Sequence, residues 1–145
     1  ENAPSGEDDG LIYEVGTWSP TVGDGSNNAT GYTTQVGAYT RIGRLCVASF
    51  DIRVSNMGSI STGALEIGGL PFTTKNDGVY YGQPVFAYAL KAAATQQVAF
   101  QTYPNTTYGK VVHDNWTANS HTTLPASTHV DTGTYIRGTI SYHVE

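Results

Sequence analysis

A strict period of two over residues 44–54 is the feature that most constrains the fold of this chain. The even positions are apolar or small: Cys46, Ala48, Phe50, Ile52 and Val54. The odd positions change from apolar to polar along the run: Leu45, Val47, Ser49, Asp51 and Arg53. This alternation predicts a strand with one buried face. The odd face suits contact with another sheet or subunit at its apolar end and with water at its polar end.

The rest of the chain also favours β structure. It has 145 residues, which is long enough for one domain with a real core, and it uses Gly 17 times and Tyr 10 times. Turn residues separate the predicted strands, which are Leu11–Ser19, Tyr32–Arg41, Arg44–Ser55, Ala64–Ile67, Val85–Leu90, Gln97–Tyr103, Tyr108–His113 and Thr134–Val144. Residues 114–131 show no clear period. We therefore predict an all-β, antiparallel β-sandwich with a jelly-roll-like topology.

Charge divides the chain into two parts. Five of the 12 acidic residues lie in residues 1–14, and no Lys or Arg precedes Arg41. We predict an acidic linker over residues 1–14 and a single β-sandwich domain over residues 15–145. In that domain seven acidic residues balance seven basic ones. A domain with balanced charge and no basic stripe is not expected to bind nucleic acid. No apolar run approaches membrane-spanning length, so no membrane insertion is expected.

Aromatic residues in predicted loops are the strongest candidates for a binding site. They are Tyr80, Tyr81, Tyr103, Tyr108 and Trp116. Flat rings stack on sugar faces, and a tyrosine adds a hydroxyl that can hydrogen-bond. Asp114 and Asn115 are the predicted hydrogen-bond partners. The alternative is that the rings pack against the rim of the sandwich or a neighbouring subunit, which is the commoner role for any single ring.

No pattern predicts a metal, a cofactor or a catalytic residue. The four histidines are separated by 8, 8 and 14 residues, which fits no short zinc motif. The run 24–28 (Asp-Gly-Ser-Asn-Asn) predicts an Asx-rich turn rather than a calcium loop. The nucleophile elbow, the phosphate-binding loop and the zinc-protease motif are absent from the sequence. Asp51 and Glu66 lie in strands, where we expect them to pair with Arg41 or Arg53.

Three short motifs together resemble a known family. They are Gly16-Thr-Trp-Ser-Pro20, Gln35-Val-Gly-Ala-Tyr-Thr-Arg-Ile-Gly43 and Gly69-Leu-Pro-Phe72. The closing strand over residues 134–142 roughly matches a fourth motif of the same family. In this combination they resemble the C-terminal domains of bacteriophage tail fibres and tailspikes. The resemblance covers most of residues 16–72 and the last strand, and it is weak over residues 76–132. The motif residues look structural, so none is carried over as a binding residue.

The resemblance implies a trimeric β-sandwich at the tip of a virion tail appendage, as the C-terminal domain of a larger protein. The expected function is non-catalytic: the domain would form a homotrimer and bind host cell-surface polysaccharide. Three alternatives stay open. The domain could be a purely structural trimerisation clamp without a ligand, a carbohydrate-binding module of a polysaccharide-degrading enzyme, or itself a carbohydrate-active enzyme at a subunit seam. In tailspikes that have an enzymatic activity, it usually resides in a preceding β-helix domain.

Overall fold

The computed structural model describes residues 12–88, 98–115 and 120–145. Its strands, in chain order, are β1 (Tyr13–Trp18), β2 (Thr21–Gly23), β3 (Gly31–Ile42), β4 (Leu45–Asn56), β5 (Glu66–Gly68), β6 (Gly82–Pro84), β7 (Phe86–Tyr88), β8 (Val98–Thr102), β9 (Tyr108–Asn115), β10 (Ser120–Thr123) and β11 (Tyr135–His143). One short helix, α1 (Ala126–His129), precedes the last strand. Within the described residues no helix is both long and apolar enough to cross a membrane.

The strands form two antiparallel sheets that share one hydrophobic core. The first sheet has the order β1-β3-β4-β11-β7. The second has the order β2-β5-β9-β8-β6, with β10 paired to β9. The core joins them: the ring of Phe50 in the first sheet meets the ring of Phe100 in the second edge-on, with centroids 6.1 Å apart. The predicted all-β, antiparallel class is confirmed.

Strand β4 has the orientation that its period of two predicts. All the even positions of residues 46–54 are buried, whereas the odd positions of residues 45–53 face outward. The thiol of Cys46 lies in the core, and burial raises its pKa. Because successive side chains of a strand point to opposite faces, the sequence alone fixes which residues of β4 enter the core.

The structure contains elements that the sequence pattern did not predict. Strands β2, β6 and β10 have only three or four residues, which is too short to show an alternation. Helix α1 lies in residues 114–131, the segment that shows no clear period in the sequence. Its four residues follow Pro125, and the buried side chains of Ala126 and Val130 join the core. Tertiary packing stabilises this turn, since a helix of one turn is unstable by itself. Strand β1, in contrast, lies within the predicted strand Leu11–Ser19.

The three family-like motifs pack against one another. Gly16 lies opposite Tyr39, and Trp18 lies opposite Gly37, in the register of β1 and β3. A β-carbon at Gly37 would lie 2.5 Å from Nε1 of Trp18, so only glycine leaves room for the indole there. The ring of Phe72 meets that of Tyr39 edge-on at 5.1 Å. These contacts agree with the structural role that the sequence predicts for the motifs.

Asp24 builds the predicted Asx turn. One carboxylate oxygen, Oδ1, accepts hydrogen bonds from the amides of Ser26 and Asn27 at 2.8 and 2.7 Å. The other, Oδ2, accepts the amide of Ser61 at 2.6 Å and its hydroxyl at 2.8 Å. These donors, led by the Asn27 amide, hold the pKa of Asp24 well below its ordinary value. The buried carboxylate therefore joins two loops that are far apart in sequence.

Candidate functional site

Three of the predicted tyrosines meet on the outer face of the second sheet. The rings of Tyr80 and Tyr103 are edge-on with centroids 5.2 Å apart, and those of Tyr103 and Tyr108 are tilted by 32° at 6.3 Å. Tyr80 is 53% exposed, and the other two are partly exposed. We call these three residues the tyrosine cluster. It forms a continuous aromatic surface that is open to solvent on one side.

The turn between β8 and β9 fixes the distance between two of the cluster residues. Thr106 lies in this turn, and its hydroxyl is 2.8 Å from the carbonyl of Tyr103 and 2.9 Å from that of Tyr108. The neighbouring residue Asn105 has φ = 57°, a left-handed conformation that asparagine tolerates better than most residues. The turn is therefore a defined structure that presents the two rings side by side.

The buried residue Thr74 holds this turn in place through hydrogen bonds. The residue is completely buried, and its hydroxyl accepts the amide of Thr106 at 3.0 Å and donates to the carbonyl of Tyr103. Its backbone amide donates to the carbonyl of Thr106 at 2.9 Å, and its carbonyl accepts the amide of Asn105 at 3.1 Å. A buried threonine with satisfied polar groups thus sets the position of the tyrosine pair.

A row of polar side chains lies beside the rings. Lys110 stands two residues after Tyr108 on the same face of β9, and its ammonium is 5.2 Å from the centroid of the Tyr103 ring. The same nitrogen is 3.8 Å from Oε1 of Glu66. Gln101 lies opposite Lys110 in the register of β8 and β9. The site therefore combines aromatic rings with an amide, an ammonium and a carboxylate.

The partners of the two strand carboxylates differ from those that the sequence predicts. Glu66 pairs with Lys110 because β5 and β9 are neighbours and place the two residues opposite each other. Burial raises the pKa of Glu66, and Lys110 opposes that effect. Asp51 accepts a hydrogen bond from the hydroxyl of Tyr135 at 2.8 Å. The prediction that both carboxylates pair with Arg41 or Arg53 is wrong, because strand order is not readable from local sequence.

Small residues border the rings. Gly68 lies opposite Tyr108 in the register of β5 and β9, and Thr21 lies opposite Gly68 on the other side. Gly82 lies opposite Gln101, and a β-carbon there would have no neighbour within 4 Å. The strands beside Tyr108 and Gln101 therefore carry small residues rather than large side chains at these positions. This leaves room for a ligand beside the rings.

Of the remaining predicted site residues, Tyr81 lies away from this cluster. The ring of Tyr81 lies 5.7 Å from that of His143, at the edge of the first sheet. Asp114 and Asn115 end β9, the strand that carries Tyr108, and their side chains lie outside the described residues, as does Trp116. Their predicted roles in glycan binding stay predictions.

Sequence reasoning missed Lys110, Glu66, Gln101 and Thr74. A signal for two of them exists: alternation places Lys110 on the face of Tyr108 and Gln101 on that of Tyr103. No local signal connects Glu66 or Thr74 to the site, because they come from distant segments. Among the described residues, no group of three or more His, Cys, Asp or Glu is placed to hold a metal ion.

Comparison of the chain with protein-family models, with characterised proteins and with solved structures gave no match. The candidate site must therefore be interpreted from its own chemistry. Exposed aromatic rings beside hydrogen-bonding side chains favour reversible binding of a polar ligand that has an apolar face.

Proposed function

We propose that this chain is a non-catalytic C-terminal module of a phage tail fibre or tailspike, and that it binds host cell-surface glycan through the tyrosine cluster. In this proposal the chain is a homotrimer at the tip of a virion tail appendage. The observation that carries the binding function is the meeting of Tyr80, Tyr103 and Tyr108 on one open face. The proposed jelly-roll-like topology is supported by a chain that passes repeatedly between the two sheets.

The chemistry of the site suits a sugar. A pyranose ring has an apolar face of C–H groups, which stacks on an aromatic ring, and hydroxyls around its edge. The tyrosine cluster supplies the rings, and Gln101 and Lys110 supply hydrogen-bond donors beside them. An exposed site binds one sugar weakly. Three linked copies of the tyrosine cluster that bind one repetitive polysaccharide would raise the apparent affinity through avidity.

The test uses an array of purified bacterial capsular polysaccharides and lipopolysaccharides. We expect the wild-type chain to bind at least one of them, and Tyr80→Ala and Tyr108→Ala to bind it roughly two- to tenfold more weakly, since an aromatic contact contributes ~0.5–1.5 kcal/mol. Val79→Ala is the matched control, because Val79 adjoins Tyr80 and is exposed but lies outside the cluster.

Two results would refute the binding function. One is the absence of binding to every glycan on an array that covers the major bacterial surface polysaccharides. The other is unchanged binding by folded Tyr80→Ala and Tyr108→Ala chains. Tyr81→Ala, measured in parallel, shows whether the predicted role of that residue adds to that of the cluster.

A second candidate function is a structural clamp without a ligand. The exposed apolar side chains of the first sheet favour it, because a surface of this kind is typical of subunit contacts. Deleting a clamp of this kind would abolish assembly of the longer chain, while the isolated chain would bind no glycan.

A further inference from the structure

The outer face of the first sheet has an unusual composition for a surface in contact with water. Its outward positions form cross-strand rows in the register of β1, β3, β4 and β11: Tyr13, Ile42, Leu45 and His143 in one row, Val15, Thr40, Val47 and Ser141 in the next, and Thr17, Ala38, Ser49 and Thr139 in the third. We call these rows the apolar end of the face. They contain no Asp, Glu, Lys or Arg.

Exposed large apolar side chains concentrate on this sheet. Among the described residues, eight of the ten exposed large apolar side chains belong to the first sheet or directly precede it, and the other two are Val79 and Tyr80. The eight are Ile12, Tyr13, Val15, Val36, Ile42, Leu45, Val47 and Phe86. The exposed faces of antiparallel sheets ordinarily carry polar and charged side chains. A surface of apolar and hydroxyl side chains without charges is instead typical of the centre of a protein–protein interface.

The other end of the face carries both signs of charge. Asp51 lies opposite Arg137 in the register of β4 and β11, and Arg53 lies in the next row. No arginine forms an ion pair with Asp51 among the described residues; the guanidinium of Arg137 instead lies 4.4 Å from the ring centroid of Tyr135. We call this part the charged end. Because this end offers one acid and two bases, Asp51 of one copy can pair with an arginine of a neighbouring copy.

The size of the face is compatible with an interface between copies of this chain. Strands β3, β4 and β11 run side by side along residues 45–53 of β4, which gives about 30 Å by about 14 Å, from ~3.4 Å per residue and ~4.8 Å per strand. The shorter strand β1 adds about 20 Å by about 5 Å. The flat area is on the order of 500 Å², and the relief of the side chains raises the accessible area toward the roughly 800 Å² per partner of a standard stable interface.

We propose that copies of this chain associate through the outer face of the first sheet, with their apolar ends in contact. This inference rests on the self-association in the proposed function and assigns it a surface. The tyrosine cluster lies on the outer face of the second sheet. Association through the first sheet leaves the cluster of every copy open to solvent, which is the arrangement that multivalent binding requires.

The experiment measures the solution mass of the full chain by light scattering, for the wild type and three variants. Val47→Lys places a charge at the centre of the apolar end, and Val15→Lys does so on edge strand β1; the two residues are 36% and 58% exposed. Val79→Lys is the matched control, since Val79 is 46% exposed and lies outside the first sheet. Far-UV circular dichroism verifies that each variant is folded.

We expect the wild type and Val79→Lys to have three times the 15.4 kDa mass of one chain, and Val47→Lys and Val15→Lys to have the mass of one chain. A wild-type dimer that both first-sheet variants dissociate overturns the homotrimer but supports this surface. A monomeric wild type overturns both this inference and the proposed homotrimer. An oligomer that persists in both first-sheet variants, or one that Val79→Lys also dissociates, overturns this inference alone. In that case self-association remains and uses another surface.

Discussion

Replacing Thr74 with valine tests how the tyrosine cluster is positioned. Valine has nearly the shape of threonine, so the change leaves no cavity and removes only the hydroxyl. The amide of Thr106 then loses its acceptor, whereas the carbonyl of Tyr103 keeps the Thr106 hydroxyl at 2.8 Å. Leaving one buried polar group unsatisfied costs ~1–3 kcal/mol. We therefore expect the free energy of unfolding to fall by about 2 kcal/mol, which corresponds to a Tm lower by roughly 4–8 °C for a domain of this size.

Urea denaturation followed by far-UV circular dichroism measures this change, and the m-value should stay constant. Thr107→Val is the matched control: Thr107 is exposed and lies in the same turn, and its hydroxyl has no hydrogen bond to the rest of the described structure. The control should change stability by less than ~0.5 kcal/mol. If Thr74→Val changes stability as little as the control, the hydroxyl does not anchor the turn and the argument for Thr74 as a positioning residue fails.

Three further predictions concern the packing and the acid stability of the domain. Gly37→Ala should lower the Tm strongly, because its β-carbon would collide with the indole of Trp18, whereas Gly82→Ala should leave the Tm nearly unchanged. Phe100→Ala should lower the free energy of unfolding by ~3–5 kcal/mol in urea titrations, since the ring is completely buried between the sheets. The folded-state pKa of Asp24 lies below its ordinary value of 3.8. The ionised carboxylate therefore stabilises the fold above about pH 4, and this stabilisation is lost as the pH falls further. Asp24→Asn should be less stable than the wild type at pH 7 and should lose less stability on acidification.

Each of these predictions has its own contradicting outcome. Equal Tm values for Gly37→Ala and Gly82→Ala would mean that the indole moves at little cost. A loss below ~1 kcal/mol for Phe100→Ala would mean that the sheets close around the missing ring. Parallel pH profiles for Asp24→Asn and the wild type between pH 5 and the acid limit would mean that other carboxylates control acid stability.

The local arrangement of single strands could be predicted from the sequence. The period of two in residues 45–54 determines which side chains of β4 are buried, and the Asp24 turn follows from the hydrogen-bonding habit of an Asx residue. Both depend only on the solvation and geometry of residues next to each other in the chain. The acidic charge of residues 1–14 and the balanced charge of residues 15–145 likewise follow from the sequence alone.

The assembly of the candidate site was decided by the tertiary structure. Tyr80 and Tyr103 are 23 residues apart, and Glu66 and Lys110 are 44 apart, so only the strand order and register bring each pair together. The sequence could name exposed tyrosines, but it could not tell that Tyr80 joins the cluster while its neighbour Tyr81 turns toward His143.

The same distinction holds for helix α1 and for the outer face of the first sheet. The helix exists because Ala126 and Val130 fill the core, which no local propensity of four residues could indicate. The apolar end of the face is visible in the sequence as Leu45 and Val47, yet its extent depends on β1 and β11 lying beside β3 and β4. Alternation within one strand is a local property with a fixed period, whereas a surface or a site is made by long-range pairing, whose free energy depends on the whole fold.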